Sequence, residues 1–206
     1  TQQTDVLVGS PTTGRNLVSS ANLLGYFVNP IVLRANLRGN PTFESFLEQV
    51  RRTCLRAFEH QDYPFALLVE RLQPVRDPSS PPLFNVMFVL QQSHLLNQAG
   101  AALFAMGEPG ARIDLAGLPL ESFDLKQHIA QVDLTLTMVQ AEEELVGSFQ
   151  FNTDLVDSET IARISGHFSQ FGCDAGEGVR IVTGVVQWAD TTFPDLNPRI
   201  GHRASH

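Results

Sequence analysis

Cysteine is nearly missing from this chain of 206 residues: Cys54 lies inside a helical pattern and Cys173 lies towards the end. Two such thiols build neither a disulfide framework nor a cysteine-rich zinc site, so a buried apolar thiol and an incidental one are expected. Basic clusters are missing as well. The chain carries 14 Lys and Arg against 22 Asp and Glu, a net charge of -8. No group of cations stands clear of acidic neighbours, which excludes the usual electrostatic footprint of a nucleic-acid binder. No apolar run reaches the roughly 20 residues that span a bilayer. The opening "TQQTDVLVGS" lacks the basic-then-apolar pattern of a signal peptide. Neither nucleic acid nor a membrane is expected as a partner, and the cytoplasm is the expected compartment. Internal repeats and low-complexity tracts are also absent.

What is present describes a folded chain. An apolar fraction of 43% with 17% charged residues suits one globular domain, or part of one. Thr4 to Ser10 reads as a short strand entering a Gly-Pro turn, and "GYFVNPIVLRANL" from Gly25 reads as a strand interrupted or bulged at Pro30. Asn40-Pro41 predicts an N-cap and first helical position, followed by Phe43, Phe46, Leu47, Val50, Cys54, Ala57 and Phe58 at helical steps. A second helix carries Phe65, Leu68, Val69 and Leu72 on one face after start signals at Asp62 and Pro64, and stops before Pro74. "LFNVMFVLQ", Leu83 to Gln91, is apolar on both alternating faces and predicts a central strand covered on two sides.

From Gln92 to about Lys126 the pattern weakens, over a length too great for a simple connection, and a crossing or insertion is expected. Val132, Leu134, Leu136 and Met138 then alternate with polar residues. After the acidic turn "AEEE", Leu145, Gly147, Phe149 and Phe151 share a face, which predicts a hairpin. Asp157 is expected to cap a helix with Ile161, Ile164, Phe168 and Phe171 on one stripe. Beyond Phe171 the periodicity stops, leaving one strand-like run, Val179 to Trp188.

Chemistry is harder to find. "GSPTTGR", Gly9 to Arg15, has two glycines at phosphate-loop spacing, but Arg15 and Asn16 stand where the lysine and the magnesium-binding hydroxyl belong. A strand-ending turn, with Arg15 reaching for a carboxylate, is the expected structure there. The six histidines are scattered, with no His-Glu-x-x-His pair and no Gly-x-Ser-x-Gly elbow. No metal set or catalytic triad can be assembled. His167 is expected to be solvated on its helix, and His60 draws attention only through its neighbours Gln61 and Asp62.

Three motifs in order nevertheless resemble the second half of a nonribosomal peptide synthetase condensation domain: "LGYFVNPIVLR" (Leu24 to Arg34), "HQDYPFA" (His60 to Ala66) and "RDPSSPPLF" (Arg76 to Phe84). "VLVGSPTTGR" before them, and "QVDLTLTM" and "FQFNTDLVDSETIARISGHF" after them, extend the resemblance over about Asp5 to Phe171. The resemblance implies an α/β fold, specifically part of the second lobe of a two-lobe domain similar to chloramphenicol acetyltransferase, with a mixed sheet flanked by helices. It implies amide formation between a donor acyl or peptidyl thioester and an acceptor aminoacyl thioester, both arriving on carrier proteins. Phosphopantetheine would come on those partners, with no cofactor bound directly.

The family's hallmark His-His-x-x-x-Asp-Gly motif does not occur in this sequence, so a C-terminal portion of the domain is expected, inactive without its N-terminal lobe and with no catalytic residue of its own. Arg15 is expected to pair across the lobe interface with the aspartate of that motif, its planar fork suiting a carboxylate. Asn29 is expected to offer hydrogen bonds at the substrate tunnel, although Pro30 follows where many members have threonine. His60, Asp62, Pro64, Phe65, Arg76 and Asp77 are expected to be structural signatures. The segment from Gln92 to Lys126, followed by "QVDLTL", corresponds to the region that crosses to complete the first lobe, with its apolar side left uncovered. Residues 172–206 depart from the family, and a frame change or artificial join near Gln170 would explain that. A noncatalytic carrier-protein-docking module and a lobe of an ester-forming or epimerising relative are the alternatives.

Overall fold

Alternating apolar residues set the first strand pair. The computed structural model describes residues 3–15, 23–75, 81–91, 110–123, 131–141, 144–174 and 178–181, with positions 101, 104 and 106. Strand β1 (Asp5–Thr12) runs antiparallel to β2 (Asn29–Asn36) without a break, from Asp5 opposite Asn36 to Thr12 opposite Asn29. The first strand therefore continues through Ser10 and Pro11 instead of turning there. Pro30 neither interrupts nor bulges its strand; it is the second residue of β2 and faces Pro11 in register. Both prolines sit at one end of the ladder, and β2 is an edge strand, where a missing N–H costs a sheet least.

Helix α1 (Phe43–Glu59) begins later than the Asn40-Pro41 signal suggests. Thr42 is its N-cap, accepting a hydrogen bond from the Ser45 N–H at 3.3 Å. Asn40 takes a left-handed conformation (φ 50°) in the preceding turn, a shape asparagine tolerates better than most residues. The helix is tied to the sheet edge by Gln49. Its Oε1 accepts from the Asn36 N–H at 2.9 Å and its Nε2 donates to the Asn36 carbonyl at 3.1 Å, completing main-chain bonds that an edge strand leaves open. No residue of α1 is buried: Phe43, Leu47, Leu55 and Phe58 stand about half exposed. Cys54 is partly buried and is a free thiol.

After helix α2 (Phe65–Leu72), strand β3 (Val86–Gln91) joins β1 in parallel, with Gly9 opposite Met87. A two-stranded hairpin follows, β4 (Arg112–Leu115) and β5 (Leu118–Glu121), outside the main sheet. It lies within the segment expected only to cross or insert. Its turn is closed by the Gly117 N–H donating to Asp114 Oδ1 at 2.7 Å, and Leu115, Leu118 and Phe123 are exposed.

Strands β6 (Leu134–Ala141) and β7 (Glu144–Phe151) form the expected hairpin, in register from Leu134 opposite Phe151 to Ala141 opposite Glu144. Helix α3 (Ser158–Asp174) and strand β8 (Gly178–Ile181) complete the described elements. The helix passes Phe171 by three residues, and β8 is the described part of the run expected from Val179 to Trp188. The main sheet has the order β2-β1-β3-β6-β7-β8 and is mixed, with β1-β3, β3-β6 and β7-β8 parallel. A parallel β3-β6 pair requires a crossover connection, which is what the long segment between them provides.

The core follows from this register. Leu136, Met138, Phe149 and Phe151 share one face of the hairpin and enclose Ile161 of α3, with Phe88, Leu134, Leu145, Val156 and Phe168 packed around them. Each large side chain buried here contributes roughly 1.5–3 kcal/mol. Ile164, expected on the same stripe, is instead turned towards solvent. Strand β3 is central by order, yet Leu90 and Gln91 are exposed and its other residues only half-buried. The two-sided cover expected for it is not found among the described residues. No described helix is long and apolar enough to cross a membrane.

Asp157 caps α3 as its position predicts: its Oδ1 accepts from the Thr160 N–H at 2.6 Å. That bond holds the Asp157 carboxyl below its ordinary value of 3.8. The stabilisation is therefore fully present above 3.8 and is lost as the pH falls through the lower folded value. In thermal melts across the acid range, Asp157→Ala should melt below wild type near neutrality and converge with it at the acid end. A gap that does not close in acid would contradict this assignment.

Candidate functional site

The signature motifs converge on one asparagine. Asn29 opens β2, and its side-chain Nδ2 donates to the carbonyls of Gln61 (2.8 Å) and Tyr63 (2.9 Å), while its Oδ1 accepts from the Phe65 N–H at 3.0 Å. Both amide hydrogens and the amide oxygen are thus committed to the α1-α2 turn. A primary amide suits this task because it offers two donors and an acceptor at fixed spacing. The Asn29 main chain is held too, its carbonyl accepting from Thr12 Oγ1 at 2.8 Å. Thr12 is buried, so its hydroxyl must have a partner, and Asn29 supplies it.

This arrangement explains the "HQDYPFA" segment. His60 ends α1 as its C-cap, its N–H donating to the Ala57 carbonyl (3.2 Å) and its own carbonyl accepting from the Tyr63 N–H (3.1 Å). Its imidazole is exposed, as is the Asp62 side chain. Asp62 does not cap α2; Pro64 occupies the N-cap position, with extended backbone and no side-chain cap bond. The orphan N–H of Phe65 is satisfied instead by Asn29 from the neighbouring strand. The helix start is written partly in β2, 36 residues earlier.

Phe65 carries the contact onward. Its ring packs against Phe84 with centroids 5.5 Å apart at 54°, a tilted geometry that aromatic pairs prefer. Phe84 closes the "RDPSSPPLF" motif and is buried. It lies so close to Gly9 of β1 that a Cβ there would overlap its ring. Only glycine leaves that space. Described residues from each of the "VLVGSPTTGR", "LGYFVNPIVLR", "HQDYPFA" and "RDPSSPPLF" motifs therefore meet in one unit, running Gly9, Thr12, Asn29, Phe65 and Phe84. Arg76 and Asp77, named with these signatures, lie outside the described residues.

Arg15 sits apart from this unit, half-buried beyond the end of β1. Its Nη1 donates to the Leu23 carbonyl at 2.7 Å and its Nη2 to the Gly25 carbonyl at 3.2 Å. Its guanidinium lies 4.4 Å from the centre of the Phe27 ring. These contacts of Arg15 are to main-chain carbonyls and an aromatic face.

A groove of about 490 Å³ opens between the β1-β2 face and α2, lined by Asp5, Leu7, Val32, Arg34, Leu68, Leu72 and Leu83. Its charged end is a bidentate pair: Arg34 Nε to Asp5 Oδ1 at 2.8 Å and Nη2 to Oδ2 at 2.6 Å. The guanidinium beside it holds the Asp5 carboxyl below the usual value. Fork and carboxylate satisfy each other, and the remaining walls are apolar, so the groove holds no group placed as a general base. His167 is exposed on α3.

The family resemblance, and not the periodicity, points to Asn29, without giving its partners; the conflict to notice is a polar side chain entering an otherwise β-branched strand. Thr12 and Gln49 were missed, because a hydroxyl in a strand and an amide on a helix carry no spacing signal, and Gly9, expected in a strand-ending turn, lies within β1. The β4-β5 hairpin was missed although Ile113 and Leu115 alternate before the Ala116-Gly117 turn and Leu118 and Leu120 after it.

The fold and these contacts describe a mixed-sheet α/β domain in which Asn29, Phe65 and Phe84 are joined by hydrogen bonds and a ring contact. Likeness to known proteins places that domain. The chain belongs to the condensation-domain family of nonribosomal peptide synthetases, the family description "Condensation domain" matching residues 1–172. It is 41% identical over 169 residues to a component of the linear gramicidin synthase of Brevibacillus parabrevis, across 81% of this chain and 2% of that protein. It is 40% identical over 166 residues to surfactin synthase subunit 2 of Bacillus subtilis (strain 168), across 81% of this chain and 4% of that protein. Gramicidin S synthase 2 of Brevibacillus brevis matches over 95% of this chain and 4% of its own length, at 34% identity. The chain spans only a few per cent of these relatives. Among solved structures, a four-domain nonribosomal peptide synthetase bound to AMP and glycine superposes with a TM-score of 0.58 at 26% identity, over 68% of this chain and 11% of that one.

Two substitutions test the unit directly. Asn29→Ala strips a partner from the Gln61 and Tyr63 carbonyls and the Phe65 N–H; the Tyr63 bond is exposed and the other two are part-buried, so the loss should be about 1–3 kcal/mol in all. Gly9→Ala forces the Phe84 ring to shift and should cost about 1–3 kcal/mol by overpacking. Urea unfolding of each variant measures both, and stabilities unchanged from wild type would contradict the geometry.

Proposed function

We propose that this chain is the C-terminal portion of a condensation domain, the second lobe of a chloramphenicol acetyltransferase-like pair, in an assembly line that makes a nonribosomal or hybrid polyketide-peptide secondary metabolite. The parent domain joins a carrier-bound acyl or peptidyl donor to the amine of a carrier-bound aminoacyl acceptor, forming an amide and releasing the donor's thiol. The observation that carries this reading is the ordered convergence of Gly9, Thr12, Asn29, Phe65 and Phe84, since it accounts for all four motifs as one scaffold. Family membership over residues 1–172 and the absence of a His-His-x-x-x-Asp-Gly sequence support placing the catalytic histidine in a segment outside these 206 residues.

On this reading the chain's own residues position rather than react. Asn29 fixes the start of β2 and the α1-α2 turn, and the β1-β2 pair carries Arg15 beyond its end, on the side proposed to meet the first lobe. Carrier proteins bring both substrates on phosphopantetheine, and no cofactor binds here directly.

The test joins this chain in frame to a first half that carries the histidine motif and supplies two loaded carrier proteins. Intact-mass measurement should then show a new amide on the acceptor carrier, and no product from this chain alone. A folded joined domain that makes no amide, or product from the 206-residue chain by itself, would overturn the proposal.

A further inference from the structure

The six residues before the Asn29 clamp form a strap that bends at Gly25, and its attachment is unusual. Main-chain carbonyls at Leu23 and Gly25 accept from the two terminal nitrogens of Arg15, and the next residue in the same alternation, Phe27, lays its ring against the same guanidinium. The intervening residues point the other way: Leu24 is fully exposed, and Tyr26 is 87% exposed. One side of the strap is thus read by a single cation, and the other is turned to solvent. The approach to it is built in. Gly14 adopts φ 62°, and a Cβ there would collide with the Phe27 carbonyl, so the chain passes directly beneath the strap before Arg15 turns up into it.

We propose that Arg15 is a latch that holds Leu23 to Val28 in one fixed shape, independently of the Asn29 clamp that anchors the strap's far end. The chemistry requires arginine. A planar fork can serve two carbonyls and stack on a ring at once, whereas an ammonium is a point charge that cannot do both. With the latch open, the strap remains tethered at Asn29 while Leu23, Gly25 and Phe27 lose their contacts with Arg15, and Leu24 and Tyr26 lose their fixed outward projection. The latch does not depend on the proposed amide-forming activity; it is a conformational device of this lobe.

Limited proteolysis with chymotrypsin, followed by mass spectrometry on the full chain, tests it, because Leu24, Tyr26 and Phe27 are all cleavable. In Arg15→Gln, cleavage within residues 23–28 should speed up about tenfold, the scale expected for losing charge-assisted hydrogen bonds. Arg15→Lys should behave like Arg15→Gln, and added methylguanidinium, but not methylammonium, should slow cleavage of Arg15→Gln again. Fluorotyrosine labelling provides an internal control, since the chain has two tyrosines. The Tyr26 resonance should move with the latch, while that of Tyr63, beside the Asn29 clamp, should not. Should Arg15→Gln not fold, Phe27→Leu keeps both carbonyl acceptors and removes only the stacking face, and it should give a smaller acceleration at the same bonds. Unchanged cleavage in folded variants, rescue by methylammonium, or equal acceleration at Tyr63 would overturn the latch.

Discussion

One side-chain amide sets the geometry on which the rest of this structure depends. Asn29 reaches from the first residue of β2 to three main-chain groups in a turn more than thirty residues later. Its own carbonyl meanwhile holds the Thr12 hydroxyl on β1. Contacts of such sequence separation are entropically costly to close, so a single residue that satisfies strand, turn and helix start together makes the closures cooperative. Replacing it removes partners on both sides at once. The Phe65-Phe84 contact and the glycine at position 9 extend the same constraint into the sheet, where the ring is received against bare backbone.

This arrangement divides the molecule by role. The hairpin β6-β7 and helix α3 hold the apolar core, with Phe151, Ile161, Val139 and Val146 fully enclosed. The β1-β2 end is held mainly by hydrogen bonds and close backbone approach, and it displays much apolar surface: Leu24 and Tyr26 on the strap, and Phe43, Leu47 and Phe58 on α1. Close packing at one end and sparse cover at the other, among the described residues, fit the proposed place of the chain within a larger domain. His60 and Asp62, which draw attention in the sequence, are exposed at the turn whose backbone groups the Asn29 side chain holds.

Legibility in the sequence followed the range of the interactions. The hairpin and the Asp157 cap follow from local periodicity and capping chemistry, α2 follows from its periodicity alone, and all three stand where the residues place them. Pro30 was misleading because an edge strand tolerates proline, and whether a strand is at an edge is a property of the whole sheet. Asn40 was misleading because Thr42 offers a hydroxyl at the proper distance two residues later. Asp62 was misleading for a deeper reason, since the acceptor that starts α2 comes from another strand. The family motifs were visible as letters, but that they touch one another is a tertiary fact no spacing rule contains.

The most direct measurement is a double-mutant cycle between Asn29→Ala and Phe84→Leu, read by urea unfolding of the full chain. These residues stand at opposite ends of the contact chain through Phe65 and share no direct hydrogen bond. If the motifs form one unit, the two losses are coupled by at least about 0.5 kcal/mol, the lower range seen for residues linked through a shared partner. Losses that simply add would show that the asparagine clamp and the aromatic contact are separate features, and would contradict the account.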